Sequence, residues 1–125
     1  MKLFVDDIRP APKGWHLART VTEAIRCLDT MVFEEVSLDH DISHAVMMDN
    51  GGIVSRPYPC GETFEPVARF MVAARKSMGL INVEKVTVHT ANPTGAQKLM
   101  RILEREYRIV LKMSAACNRL EIQDK

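Results

Sequence analysis

The fold class predicted by the sequence is α/β: one three-layer domain around a mostly parallel sheet. Three observations predict it. Short β-prone runs alternate along the chain with segments of helical period. Several of those runs stop abruptly at acidic or polar clusters. The length of 125 residues suits a single domain, and a chain of that size can bury a core without disulfide or metal staples.

The elements follow in order. Lys2–Val5 is a short apolar run ended by Asp6-Asp7, and reads as a buried strand. Arg9 to Gly14 holds two prolines and a glycine, so it is a loop, too short for a regular first helix. Trp15–Arg19 is a short second strand. Thr20-Val-Thr-Glu23 has the form of a capping box, and Ala24, Ile25, Leu28 and Met31 follow at helical spacing. Glu35–Leu38 is a strand ended by Asp39-His40-Asp41. Residues 45–61 form an excursion: two short arms around Asn50-Gly51, a hairpin turn pair, then Pro57, Pro59 and Gly61. A long loop beside a crevice is a candidate gate.

Thr63–Met78 is predicted as a helix, with Pro66 in its first turn, Val67, Phe70, Met71, Ala74 and Met78 on one face, and Gly79 as its stop. Val83–His89 is a strand. Asn92-Pro93 opens a further helix, with Leu99, Met100, Leu103 and Tyr107 as its apolar stripe. Ile109–Met113 is a last strand. From Ser114 on the pattern is indistinct, with an extra strand at Leu120–Gln123 as one reading.

Composition narrows the function classes. Hydrophobic residues make up 46% and charged residues 26%, which is ordinary for a soluble globular protein. A net charge of +1 argues against strong non-specific binding of nucleic acid, while leaving room for a small phosphate-bearing substrate. No apolar run has the length of a membrane span or the form of a signal peptide. Cys27, Cys60 and Cys117 are odd in number and far apart, which fits reduced thiols and a cytoplasmic location.

In open parallel sheets, ligands bind beyond the carboxyl ends of the strands, where the strand order reverses. That rule brings together Asp6 and Asp7, then Asp39, His40 and Asp41, then His89, Thr90 and Asn92. Taken singly, each Asp is as well explained as a turn former or helix cap. Taken as a set at the ends of separate strands, they favour a site. Several carboxylates in one crevice repel one another, and a divalent cation relieves the repulsion, Mg²⁺ or Mn²⁺ being suited to oxygen ligands. His40 and His89 are candidate acid and base groups, because imidazole titrates near neutral pH. If the strand continues, His40 and Asp41 face opposite ways. Asn92-Pro93-Thr94-Gly95 is either an anion site at a helix start or a plain cap. Lys98, Arg101, Arg105 and Arg108 make a basic stripe, read as a solvated face because Glu104 and Glu106 lie among them. His44, four residues after His40, reads as a surface histidine, and His16 as structural or exposed.

Asp6-Asp7, Asp39 and Thr90-Ala91 at successive strand ends resemble the receiver domains of two-component signalling. The resemblance implies a flavodoxin-like strand order, Mg²⁺ on Asp6, Asp7 and Asp39, Asp39 as phosphoacceptor, Thr90 as switch hydroxyl and Lys112 as the lysine of the fifth strand. The chain departs from that pattern in its missing first helix, in the short segment after Lys112, and in the lack of a proline there. Leu3-Phe-Val-Asp-Asp-Ile-Arg-Pro10, Ser37-Leu-Asp-His-Asp-Ile42 and His89-Thr-Ala-Asn-Pro-Thr-Gly95 look more closely like the motifs of the cyclic-phosphate processing receiver domain. Gly61-Glu-Thr-Phe64 stands where that group has a Gly-Tyr-Asp-type start to the next helix.

This second resemblance implies a metal-assisted phosphoesterase acting on a cyclic phosphate, either a nucleotide or an RNA end. Asp6, Asp7 and Asp39 would then hold the metal, and Asp39, His40 and His89 would be catalytic. Arg9, Asp41, Thr90, Asn92, Thr94 and Gly95 would surround the substrate. The alternative is a non-enzymatic receiver-like module that is phosphorylated on Asp39 or binds a phosphorylated ligand.

Overall fold

Five parallel strands form the central sheet: β1 (Lys2–Val5), β2 (His16–Ala18), β3 (Glu35–Leu38), β6 (Lys85–Thr90) and β7 (Ile109–Met113). The computed structural model describes residues 1–47, 53–57, 63–77, 79–80 and 82–113. The strand order β2-β1-β3-β6-β7 is the flavodoxin-like order of a receiver domain. Strands and helices alternate through α1 (Val21–Thr30), α2 (Glu65–Lys76) and α3 (Pro93–Leu103). Between β3 and α2 lies a separate antiparallel pair, β4 (Ser43–Met47) with β5 (Ile53–Pro57), in which Val46 pairs with Val54. The Asn50-Gly51 turn, Pro59, Gly61, Cys60, Cys117 and the Leu120–Gln123 segment lie outside the described residues.

The chain moves from β1 to β2 in one direction and from β2 through β3 and β6 to β7 in the other. Right-handed crossovers therefore put α1, α2 and α3 on one face of the sheet, where α1 packs on α2 and α2 on α3. That face is apolar: Leu3, Val5, Val36, Leu38, Val86 and Val88 are fully buried. The helices cover it with Ala24 and Leu28, Val67, Ala68 and Met71, and Ala96, Leu99 and Leu103. Strand alternation turns Lys2, Glu35 and Lys85 to the other face, where they are cross-strand neighbours. Glu35 there pairs with Lys2 at 3.8 Å and with Lys85 at 3.4 Å. No helix lies between β1 and β2.

Helix starts follow local chemistry. Thr20 Oγ1 accepts from Glu23 N at 3.0 Å, and Glu23 Oε1 accepts from Arg19 N, one residue before the cap, at 2.8 Å. Asn92 Oδ1 accepts from Gly95 N at 3.1 Å, and Pro93 takes the first helical position. Helix α2 begins two residues later than the sequence predicts, at Glu65, because Phe64 is drawn into the core and Thr63 Oγ1 takes the Glu65 N–H instead. Tyr107 closes the far end of the core by donating its hydroxyl to Met71 O at 2.8 Å. Among the described residues no helix is long and apolar enough to cross a membrane, and Cys27 is a free, half-buried thiol.

Candidate functional site

The reversal of strand order falls at β1, between its neighbours β2 and β3. There the chain leaves β1 at Asp6-Asp7 and β3 at Asp39, with Thr90 at the end of β6. A crevice of about 260 Å³ opens at these strand ends, lined among others by Asp6, Asp7, Arg9, Asp39, Asp41 and Thr90. One carboxylate oxygen from each of Asp6, Asp7 and Asp39 lies within 4.8 Å of the others. These oxygens are a hard donor set of the kind that holds Mg²⁺ or Mn²⁺.

Asp6 is fully buried and intensively hydrogen-bonded. Its Oδ1 accepts from the backbone N–H groups of Ile8 at 2.9 Å and Arg9 at 3.0 Å. Its Oδ2 meets Arg9 Nη1 at 2.9 Å and His89 Nε2 at 2.9 Å. Burial works to raise the Asp6 carboxyl, but these donors outweigh it and hold the group well below the usual carboxylate range. Asp39 takes the opposite course. Burial and the nearby Asp6 charge push it up to about 7, against the His40 backbone N–H and the Arg9 guanidinium. Its Oδ1 accepts from His40 N at 2.8 Å, and its Oδ2 lies 3.5 Å from Arg9 Nη1. A buried carboxylate so destabilised in its charged form fits a divalent cation, so Asp6, Asp7 and Asp39 would hold the ion.

Both imidazoles are buried, and neither is in the crevice lining. His89 lies flat against Phe4, with ring centroids 4.4 Å apart. Its Nδ1 meets Ser37 Oγ at 2.7 Å while Nε2 meets Asp6. A neutral ring satisfies both contacts by donating from Nε2–H and accepting the serine hydroxyl at Nδ1. His40 has a carboxylate at each nitrogen: Asp41 Oδ1 at Nδ1 and Glu65 Oε2 at Nε2, both at 2.7 Å. The hydrogen bond from His40 holds the Glu65 carboxyl below its ordinary range.

Asn92 is used at both ends. Its Nδ2 donates to Asp41 Oδ1 and Oδ2 at 3.3 and 3.2 Å, and its Oδ1 caps α3. Gly95 is buried directly over the His40 ring, where a Cβ would collide with Nδ1. The glycine is therefore set by packing on His40. Neither Thr94, which is exposed, nor Gly95 lines the crevice. Lys112 is exposed and also lies outside the lining.

The structure thus brings Asp6, Asp7, Arg9, Asp39, Asp41 and Thr90 together in the crevice. His40, His89, Asn92 and Gly95 stand behind them, reaching the crevice through Asp41 or Asp6. Sequence reasoning missed Ser37, Glu65 and Arg19. Ser37 carried a signal, a hydroxyl between Val36 and Leu38 and two residues before Asp39. Arg19 donates to the Arg9 carbonyl at 2.7 Å and to the Asp6 carbonyl at 3.3 Å, and nothing local in the sequence marks it.

A family model described as the cyclic-phosphate processing receiver domain matches residues 1–105. No curated protein and no solved structure matches the chain. With four strands of the receiver order, β2-β1-β3-β6, and the strand-end acidic crevice all within the matched residues, the chain belongs to the family of cyclic-phosphate processing receiver domains.

Proposed function

We propose that this chain is a metal-assisted phosphoesterase that opens a cyclic phosphate, on a nucleotide or an RNA end. The observation that carries the reading is the crevice, where three carboxylates converge within 4.8 Å beside the Arg9 guanidinium. Opening a cyclic phosphodiester with water forms one P–O bond, breaks another, and leaves a ring oxygen that needs a proton. Charge neutralisation dominates such a step. A divalent ion on Asp6, Asp7 and Asp39 supplies that neutralisation and Lewis acidity when bound.

The chain's own residues do the rest. Arg9 holds a phosphate oxygen, and Thr90 and Asp41 line the substrate pocket. His89 acts through Asp6, whose Oδ2 it orients, and His40 acts through Asp41. Asn92 keeps Asp41 aimed at the crevice by donating to both its oxygens.

The test is turnover of 2′,3′-cyclic nucleotides, RNA with a 2′,3′-cyclic end, and 3′,5′-cyclic nucleotides, with Mg²⁺, Mn²⁺ or chelator. Metal-dependent turnover that disappears in Asp39→Asn supports the reading and names the substrate. Turnover by Asp39→Asn equal to wild type refutes the site.

A specific observation favours a second reading. His40 and His89, the groups suited to proton transfer, are buried and engaged with other side chains. A module phosphorylated on Asp39, or one that binds a phosphorylated ligand, has no need of them. Modification of Asp39 by acetyl phosphate, with no turnover of any cyclic phosphate, would select that reading.

A further inference from the structure

We propose that Arg9 is a built-in stand-in for the divalent ion: it neutralises the carboxylate cluster when no metal is present, and hands its guanidinium to the substrate phosphate when metal enters. The proposal rests on the metal-dependent reading above and goes beyond it, by making metal binding and phosphate binding interdependent.

The oxygen atoms decide the matter. Asp6 Oδ1 is taken by the backbone N–H groups of Ile8 and Arg9, and Asp39 Oδ1 by the backbone N–H of His40. Those donors belong to the fixed chain path and leave the Oδ2 side of both groups for an ion. On Asp6 this oxygen also meets His89 Nε2 at 2.9 Å, so one lone pair there remains for Arg9 or an ion. Arg9 Nη1 sits on both Oδ2 atoms, 2.9 Å from Asp6 Oδ2 and 3.5 Å from Asp39 Oδ2. A second cation at the same atoms meets the guanidinium charge at contact range, so ion and guanidinium exclude each other there.

The surroundings allow Arg9 to move without unfolding the loop. Its backbone is tied at both polar groups: its N–H donates to Asp6 Oδ1, and its carbonyl accepts from Arg19 Nη1 at 2.7 Å. Its side chain is 36% exposed and lines the crevice. The guanidinium can therefore swing while the main chain stays put. Once released beside the crevice, a planar fork of donors suits two phosphate oxygens at once.

The experiment uses the full chain, freed of metal with chelator, as wild type and as Arg9→Gln. Mn²⁺ alone is titrated by calorimetry, then inorganic phosphate with and without saturating Mn²⁺. The expected result is that Arg9→Gln binds Mn²⁺ about tenfold more tightly than wild type, the size of a lost charge-assisted hydrogen bond. Wild type is expected to bind phosphate at least tenfold more tightly once Mn²⁺ is bound, and Arg9→Gln to show a clearly smaller enhancement. Mn²⁺ binding of equal or lower strength in Arg9→Gln overturns the proposal and leaves the metal reading intact. No Mn²⁺ binding to either protein overturns the metal reading itself, and this proposal with it. Equal phosphate enhancement in both proteins overturns the handover to phosphate. Should Arg9→Gln fail to fold, the Arg9 Nε–H resonance in wild type is followed during Mg²⁺ titration. Movement toward the position of solvated arginines supports displacement, and an unmoved resonance at Mg²⁺ saturation overturns it.

Discussion

Asp39→Asn should make the metal-free protein more stable at alkaline pH. The carboxyl of Asp39 ordinarily titrates at 3.8 and is pushed up to about 7 in the folded chain, first by burial and then by the charge of Asp6. Between those two values the folded protein holds a proton that the unfolded chain has released. The favourable contribution of this group is therefore complete below about pH 4 and is lost as pH rises through about 7. At about 1.4 kcal/mol for each pH unit separating the two values, the ceiling is about 4 kcal/mol well above pH 7. Asparagine is close in shape to the protonated acid and keeps an oxygen for the His40 N–H, and the attraction of Arg9 for the charged form is already contained in the folded value of about 7. The gain expected therefore approaches that ceiling of about 4 kcal/mol at pH 8.5 and falls to about 2 kcal/mol at pH 5. Urea denaturation of both proteins at the two pH values, with chelator present, measures it. A variant no more stable than wild type at pH 8.5, or a gain that is the same at pH 5, would refute the account of Asp39. The same account makes millimolar Mg²⁺ at pH 8.5 stabilise wild type more than Asp39→Asn, because the ion takes over the neutralisation that the variant no longer needs.

Gly95→Ala should destabilise the protein although alanine is the better helix former. Alanine gains about 1 kcal/mol of helix propensity, but its Cβ would lie 2.5 Å from Cγ and 3.0 Å from Cβ of His40, atoms close to the backbone that cannot swing aside. Overpacking of this kind costs about 1–3 kcal/mol, and the displaced ring gives up its contacts with Asp41 and Glu65. Thermal denaturation, with the His40 ring resonances followed by NMR, should show a lower melting temperature and a moved ring; a variant with wild-type melting and unmoved His40 signals would mean that Gly95 is not set by that ring. Tyr107→Phe removes the buried hydroxyl that donates to Met71 O, a carbonyl that keeps its place in the α2 ladder, which should cost about 1 kcal/mol in urea denaturation with no effect on Mn²⁺ binding. A parallel loss of metal affinity would show that the far end of the core is coupled to the crevice.

Much of the fold is legible because its signals are local. Lys2–Val5, Glu35–Leu38 and Ile109–Met113 are strands at the bounds the sequence predicts. Thr20 and Asn92 cap the helices that their spacing predicts, since a cap bond spans three residues and needs nothing beyond them. The acidic crevice is legible for a related reason. Once strands are parallel, their carboxyl ends share one edge, so Asp6, Asp7, Asp39 and Thr90 meet whatever the finer packing.

What the sequence by itself determined, then, is the element order, the capped helix starts and the set of side chains delivered to one edge of the sheet. Only the tertiary structure decided which of them face the crevice. Side chains alternate in direction with every residue of a strand, so a neighbour in sequence can be the crevice wall or its support. His89, one residue before Thr90, turns away to stack on Phe4 and join Ser37 to Asp6 across 52 and 83 residues. His40, one residue after Asp39, is enclosed between Asp41 and Glu65, the latter supplied by a helix 25 residues further on. The requirement for glycine at position 95 comes from the packing of that ring against α3. Such contacts depend on strand register and helix placement between distant segments, which no local pattern of residues encodes.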